Sequence, residues 1–485
     1  MPQAPNILLI MTDQQRCDSL GCYGGRIART PVLDRLAAEG ALFENACVNA
    51  TICTPSRASL MTGKPLPGHG VYKLHDNLPE DQVLFPKLLQ RKGYRTALFG
   101  KLHVSGRVTE ANQRHPHDGF NVYELCNDPT LHLDSELNAY AAWIREHHPD
   151  FWARLQEENR NLKHFPIDAH HTYWAADRTI DFLERQTDEQ PFFCMMSLFD
   201  PHDPYDDYPL EALDTIDGSR IGAGGPATDR LTDVPDGVHR EKRKYVGRYA
   251  DKEISDDLCR GYHASVGFLD QQIGRVLRKL EECGFDDRTL VIFVSDHGEM
   301  LGDKQLYTKG AYFYDACVKV PFLLKMPGTI PPGVRRQQLV QLHDIAASVV
   351  AAAGFGPDEL DQLMPDAINV LPLAADNKPG RDYAVTQYRN SGYSDQGSYW
   401  TPSLNCTMFR DNRYKLHLYH DVPEGEQRQE GELFDTAADP GEEINLWYDP
   451  AYADVKLRLL LRFTDWTVQQ ENRYVSGRGG EAVTW

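Results

Sequence analysis

Residues 53 to 63 read Cys-Thr-Pro-Ser-Arg-Ala-Ser-Leu-Met-Thr-Gly, a thiol followed four positions later by a guanidinium. Pro55 suits the first turn of a helix, where its missing N–H has no partner to lose. The spacing predicts a helix starting at Pro55 with Cys53 just ahead of it. A thiol at a helix N-terminus lies in a positive field, which lowers its pKa and makes it nucleophilic. Arg57, one turn on, adds a permanent cation able to hold an oxyanion. Taken alone, the same five residues also suit a small cysteine packed at a helix start.

Other chemistry-bearing residues follow short apolar runs. Asp13-Gln14 comes after Ile7 to Met11, and Asp296-His297-Gly298 after Thr289 to Ser295. An acid, an imidazole and a turn glycine at a strand end suit a metal site, with hard divalent ions preferring oxygen donors. Gly100-Lys101-Leu102-His103 follows Tyr94 to Phe99. Asp200-Pro201-His202-Asp203-Pro204 follows Phe192 to Phe199, and its prolines restrict the backbone around His202. Lys309 lies twelve residues beyond His297.

These motifs need a scaffold that gathers strand ends. Helical spacing recurs over Thr30 to Glu39, Leu84 to Lys92, His170 to Arg185, Tyr262 to Glu282 and Leu342 to Ala353, alternating with the strand runs and a further run at Val320 to Lys325. That alternation predicts an α/β fold, with a mostly parallel, mixed central sheet sandwiched by helices and ligands at the carboxyl ends of its strands. From residue 376 the pattern changes to short runs at Ala384 to Tyr388, Cys406 to Arg410 and Tyr414 to Tyr419, an acidic turn region at Asp421 to Gly431, and an amphipathic stretch at Val455 to Gln470. The expected organisation is a catalytic domain over 1–375 and a subdomain over 376–485, the latter a small antiparallel sheet with one helix. The Gly-rich tail from Glu471 to Trp485 reads as an arm that contacts a neighbouring subunit in a homo-oligomer. Segments 106–165 and 203–260 show no regular pattern and are expected to be substrate-facing insertions.

Composition narrows the functional class. The formal net charge of −20 argues against a nucleic-acid surface, and any anion must be held by a local cluster of cations. No apolar run has membrane-spanning length, and the N-terminal run is too short for a signal peptide. Ten cysteines with no C-x-x-C pair read as reduced core thiols, and the expected location is the cytoplasm.

The run Cys53, Pro55, Ser56, Arg57, Leu60, Thr62-Gly63 resembles the signature of type I sulfatases in the alkaline-phosphatase-like superfamily. Gly100-Lys101-Leu102-His103 resembles the family's Gly-Lys-x-His motif, and Pro201-His202-Asp203-Pro204 its Pro-His-x-Pro segment. The stretch from Glu432 to Asn445-Leu446 resembles the end of sulfatase chains. The resemblance implies that Cys53 is converted by a formylglycine-generating enzyme to formylglycine, whose hydrate is the nucleophile. It implies one divalent ion, Ca²⁺ with Mn²⁺ as the alternative, held by Asp13, Gln14, residue 53, Asp296 and His297. It further implies that Arg57, Lys101 and Lys309 neutralise the sulfuryl oxygens. By the same resemblance, His103 is expected to serve as a base and His202 to protonate the leaving oxygen of a small sulfate ester.

Two departures matter. Most sulfatases carry paired Asp residues after the first strand and many carry Asp-Asn at the later site, whereas this chain has Asp13-Gln14 and Asp296-His297. That combination resembles the choline sulfatase and phosphonate monoester hydrolase branches. The second branch replaces the lysine and histidine of the 101/103 motif with Tyr and Thr, and this chain keeps both. The expected reaction is therefore sulfate ester hydrolysis, with phosphonate monoester or phosphodiester hydrolysis as the alternative. A third reading, a binding protein without turnover, is disfavoured by the intact Lys101, His103, His202 and Lys309 set.

Overall fold

The structure, a computed structural model, describes residues 4–222, 235, 251–391, 403–420 and 430–475. Most of the acidic Asp421 to Gly431 region, the stretch 223–250 other than residue 235, and the tail beyond residue 475 lie outside the described residues.

The central sheet has eight strands: β1 (Asn6–Thr12), β2 (Ala41–Cys47), β3 (Arg95–Gly100), β4 (Val122–Leu125), β5 (Phe192–Ser197), β6 (Thr289–Ser295), β7 (Phe322–Lys325) and β8 (Val334–Gln341). They lie in the order β4-β3-β5-β1-β6-β7-β2-β8. Every pairing is parallel except those of β7, which runs against both β6 and β2. The middle strands β1, β5 and β6 are buried along their full length, as expected where helices cover both faces of a sheet. Leu9, Met195 and Ile292 point into one core, and Leu8, Met196 and Phe293 into the other. A second sheet of four antiparallel strands, β9 (Ala384–Arg389), β10 (Asn405–Arg410), β11 (Tyr414–Tyr419) and β12 (Gly431–Asp435), is covered by the helix Ala453–Gln470 through Phe409, Leu416, Leu459 and Trp466. Its other face joins the main core through Ala384, Cys406, Met408 and Phe434.

Segment 106–165 departs from the expected irregular insertion. It contains β4 and the helices Ala139–His147 and Pro149–Glu158. Asn138 caps the first of these by accepting from the Ala141 N–H, and Tyr140, Ile144, Phe151 and Leu155 are buried beneath the pair. The long helix also starts earlier than its apolar spacing implies, at Lys252. There Asp251 accepts from the N–H groups of Glu253 and Ile254 before the apolar face begins. The edge strand β8 is hidden in sequence by the polar run Val-Arg-Arg-Gln-Gln, whose side chains are mostly half-buried or exposed. Among the described residues no helix is long and apolar enough to cross a membrane.

Candidate active site

Four adjacent strands, β3, β5, β1 and β6, end on one edge, and four of the motifs leave from those ends. Thr12 pairs in register with Ser295, so Asp13 and Asp296 emerge side by side. The Asp296 N–H donates to the Thr12 carbonyl at 3.2 Å, and the Asp13 N–H donates to the Asp200 carbonyl at 3.2 Å. Gly100 pairs with Ser197, and a Cβ at Gly100 would lie 1.9 Å from the Ser197 carbonyl oxygen. Its φ of +109° completes the turn that feeds Lys101 into the site.

The nucleophile candidate stands on a helix that differs slightly from expectation. The helix runs Cys53–Thr62, so Cys53 is its first residue and Pro55 its third. Pro55 is tolerated there because the first-turn N–H groups have no intrahelical acceptor. Every residue of this helix is buried, and Gly63 closes it in the left-handed region with its N–H on the Ser59 carbonyl at 3.0 Å.

Cys53 Sγ lies 2.9 Å from Lys309 Nζ, 3.2 Å from His297 Nε2 and 3.6 Å from Asp13 Oδ1. Burial pushes the thiol pKa up, but Lys309, Lys101 and His297 outweigh it and bring the thiol well below its ordinary range. The cations around the sulfur therefore activate the thiol more directly than the helix end on which the sequence argument rests. Asp13 Oδ2 accepts from Lys101 Nζ at 2.7 Å and from Arg57 Nη2 at 3.1 Å. Arg57 Nε reaches Asp296 Oδ2 at 2.6 Å, and its Nη1 donates to the Lys101 carbonyl and Ser197 Oγ. The Arg57 guanidinium thus engages both carboxylates. Burial and Cys53 push Asp13 up, yet Lys101, His202 and Lys309 hold it well below the usual carboxylate range. Asp296 is pushed up by burial and by the charge of Asp13.

Asp13, Cys53, Asp296 and His297 each offer one ligand atom, and these atoms lie within 4.8 Å of one another. Two buried carboxylates side by side repel, and a divalent cation among them would relieve both that repulsion and the burial penalty. The donor set therefore fits the ion that the sequence resemblance implies. Gln14 stands beside it. Its Oε1 accepts from Lys309 Nζ at 2.7 Å, and its N–H donates to Asp296 Oδ1 at 3.1 Å.

His202 and His103 flank the sulfur differently. His202 Nε2 lies 2.5 Å from Lys309 Nζ, and its Nδ1 lies 2.6 Å from the Asp203 carbonyl. A carbonyl only accepts, so Nδ1 carries hydrogen and Nε2 faces the Lys309 ammonium with its lone pair. His103 is buried, with a φ of +55°, and its Nε2 lies 3.1 Å from Thr54 Oγ1. Burial and Lys101 push its pKa down to about 3, which keeps the ring neutral. Glu110 fixes this turn by accepting from the N–H groups of His103, Val104 and Ser105 at 2.7–2.9 Å.

The structure brings together all the residues singled out in sequence, and it adds two. Glu299 Oε2 accepts from Gln14 Nε2 at 2.6 Å and from the Tyr205 hydroxyl at 2.7 Å, while the Tyr205 hydroxyl also accepts from Gln14 Nε2 at 2.7 Å. Both side chains are buried. The only sequence signal was their place: Glu299 two residues past His297, and Tyr205 directly after Pro204.

Comparison with known proteins accords with this geometry. The family profile described as Sulfatase matches residues 5–355, and one described as N-sulphoglucosamine sulphohydrolase, C-terminal, matches residues 302–469. An arylsulfatase of Clostridium perfringens is 28% identical over 468 residues, covering 93% of this chain and 92% of that protein. An N-acetylglucosamine-6-O-sulfatase of Bacteroides thetaiotaomicron is 27% identical over 517 residues, covering 94% and 85%. The crystal structure of the phosphonate monoester hydrolase of Agrobacterium radiobacter shares the fold, with a TM-score of 0.75 at 24% identity and 96% of each chain covered. The chain belongs to the sulfatase family.

Proposed function

We propose that this sulfatase-family hydrolase cleaves small sulfate esters, with residue 53 as the nucleophile after conversion of its cysteine to formylglycine by a formylglycine-generating enzyme. The observation that carries the reading is the position of Cys53 Sγ, in contact with Lys309 and His297 and beside Asp13, on an edge where Lys101 and His202 also converge. A bound divalent ion, Ca²⁺ with Mn²⁺ as the alternative, would be held by Asp13, Gln14, residue 53, Asp296 and His297, and would supply Lewis-acid polarisation of the ester and the nucleophilic hydroxyl.

The chain's own residues do the remaining work. Lys101 and Lys309 hold Asp13 in its ionised form, and Arg57 fixes its direction. Lys309 neutralises charge that builds on the transferring group. His202, in its protonated form, gives a proton to the leaving oxygen from Nε2, the ring nitrogen that faces Lys309. His103, neutral at working pH, is placed to take a proton from the residue 53 hydroxyl that remains after transfer, expelling sulfate. Mass spectrometry of the peptide containing residue 53 from active enzyme tests the central claim. A mass 18 Da below the cysteine form is expected, and an unmodified thiol in fully active protein would refute it.

Gln14 favours a second reading. With His297 it gives the Asp-Gln and Asp-His pairs that resemble the phosphonate monoester hydrolase branch, and a hydrolase of that name shares the fold. Turnover of an aryl sulfate, a phenyl phosphonate monoester and an aryl phosphodiester by the same preparation separates the two. Sulfate ester turnover is expected to lead.

A further inference from the structure

A second group of metal-ligating side chains lies behind His202. His170 and His171 stand at the start of the helix His171–Glu184, and Asp200 and Asp207 flank the turn that carries His202. None of the four is more than 3% exposed. His171 Nε2 is 3.3 Å from Asp207 Oδ2 and 3.9 Å from Asp200 Oδ1, and His170 Nδ1 is 3.9 Å from Asp200 Oδ2. One ligand atom from each residue fits within 4.8 Å of all the others.

The hydrogen bonding is incomplete in a telling way. Thr172 supplies an N–H to His170 Nδ1 and a hydroxyl to Asp200 Oδ2. Asp200 Oδ1, Asp207 Oδ1 and His170 Nε2 are buried with no hydrogen-bond partner. Among the described residues the only ion-pair partners of Asp200 and Asp207 are histidines. Burying two carboxyls without a cation is unfavourable.

We propose that His170, His171, Asp200 and Asp207 form a second divalent-metal site that takes Zn²⁺. Two imidazoles and two carboxylates are the donors Zn²⁺ accepts in a closed four-coordinate site, His170 giving up the Thr172 N–H on its Nδ1 to ligate, and two carboxylates balance its charge. Ca²⁺ and Mg²⁺ prefer an all-oxygen shell and fit less well. The site is structural. It pins the helix start at residues 170–171 to the turn bearing His202, and the Asp200 carbonyl that accepts from Asp13 N–H belongs to the same clamp. Phe199 lies between the two sites, its ring centroid 5.7 Å from that of His171 and 4.7 Å from that of His202.

The test strips the full-length protein with chelator, titrates it with Zn²⁺ and counts bound ions. Wild type is expected to hold two per chain, and D207N and D296N one each, with the Zn²⁺-dependent rise in Tm surviving in D296N. One ion in wild type, with D207N unchanged from it, would overturn the site. If D207N does not fold, anomalous scattering at the zinc edge from Zn²⁺-soaked wild-type crystals decides. A peak among these four residues supports the site, and its absence overturns it. The loss of one ion in D207N relative to wild type, and a peak among these four residues, depend neither on which ester is cleaved nor on the state of residue 53.

Discussion

Arg57 and Asp296 meet at 2.6 Å, Nε to Oδ2, with neither side chain exposed to solvent. The same guanidinium holds Asp13 at 3.1 Å, so one cation sets the spacing of two carboxylates from strands nearly 300 residues apart in the chain. Removing one member of such a buried set leaves uncompensated charge, which costs about 3–5 kcal/mol. R57A is expected to lose that much stability in urea unfolding and to bind the divalent ion more weakly. R57K keeps the charge but not the fork, so it should fall between R57A and wild type in both measurements.

Glu299 holds Gln14, Tyr205 and the N–H groups of Leu301 and Thr308. In E299Q one oxygen becomes an amide that can only donate, and it faces groups that also donate. The expected loss is about 1–3 kcal/mol in thermal unfolding. Gln14 loses its anchor, and through Gln14 so does Lys309. A fall in kcat/KM of about tenfold, roughly 1.4 kcal/mol, should accompany the loss of stability. An unchanged kcat/KM would show that Gln14 does not position Lys309.

General-acid assistance contributes about 10²–10⁴ in rate, and it matters most for poor leaving groups. H202A should therefore lose about that factor on alkyl sulfates and far less on nitrophenyl sulfate. The slope of log kcat/KM against leaving-group pKa should steepen. Equal losses on both classes of ester would remove His202 from the role of acid.

His69 supplies a pH prediction remote from the nucleophile. Its Nδ1 accepts from the Val71 N–H at 3.1 Å, and its Nε2 lies 2.8 Å from Ser59 Oγ. Burial, with Lys64 and His343, pushes its pKa down to about 3 from an ordinary 6.5. Between those values the unfolded chain binds a proton that the folded chain refuses, so stability falls as pH falls. H69Q removes that proton from the balance. Its unfolding free energy should fall less steeply from pH 6 to 4, by about 1.4 kcal/mol per pH unit. Denaturant titrations across that range measure the slope.

The sequence carried the site better than its surroundings. Asp13, Lys101, His202 and Asp296 follow strand runs that are largely apolar and buried, and a parallel sheet gathers such ends. Glu299 and Tyr205 were not legible, because their importance comes from contacts with Gln14 and no spacing rule brings them together. Strand β8 and the helices Ala139–His147 and Pro149–Glu158 escaped because their signals are tertiary: an edge strand needs only one apolar end, and short helices are fixed by a cap and a few buried side chains. The reversed direction of β7 was equally hidden, since an apolar run of four residues reads the same in either direction.

The burial of Cys53 has a consequence for the timing of synthesis. The residue is 1% exposed, and His297, which helps to enclose it, lies 244 positions later in the chain. Lys309 comes later still, 256 positions on. A ribosome therefore releases the Cys53 segment long before the walls of its chamber exist. Any enzyme that must reach this thiol has that interval in which to act. Once β6 has docked beside β1, the thiol lies buried among side chains drawn from distant parts of the chain, and an enzyme needing the extended segment no longer finds it.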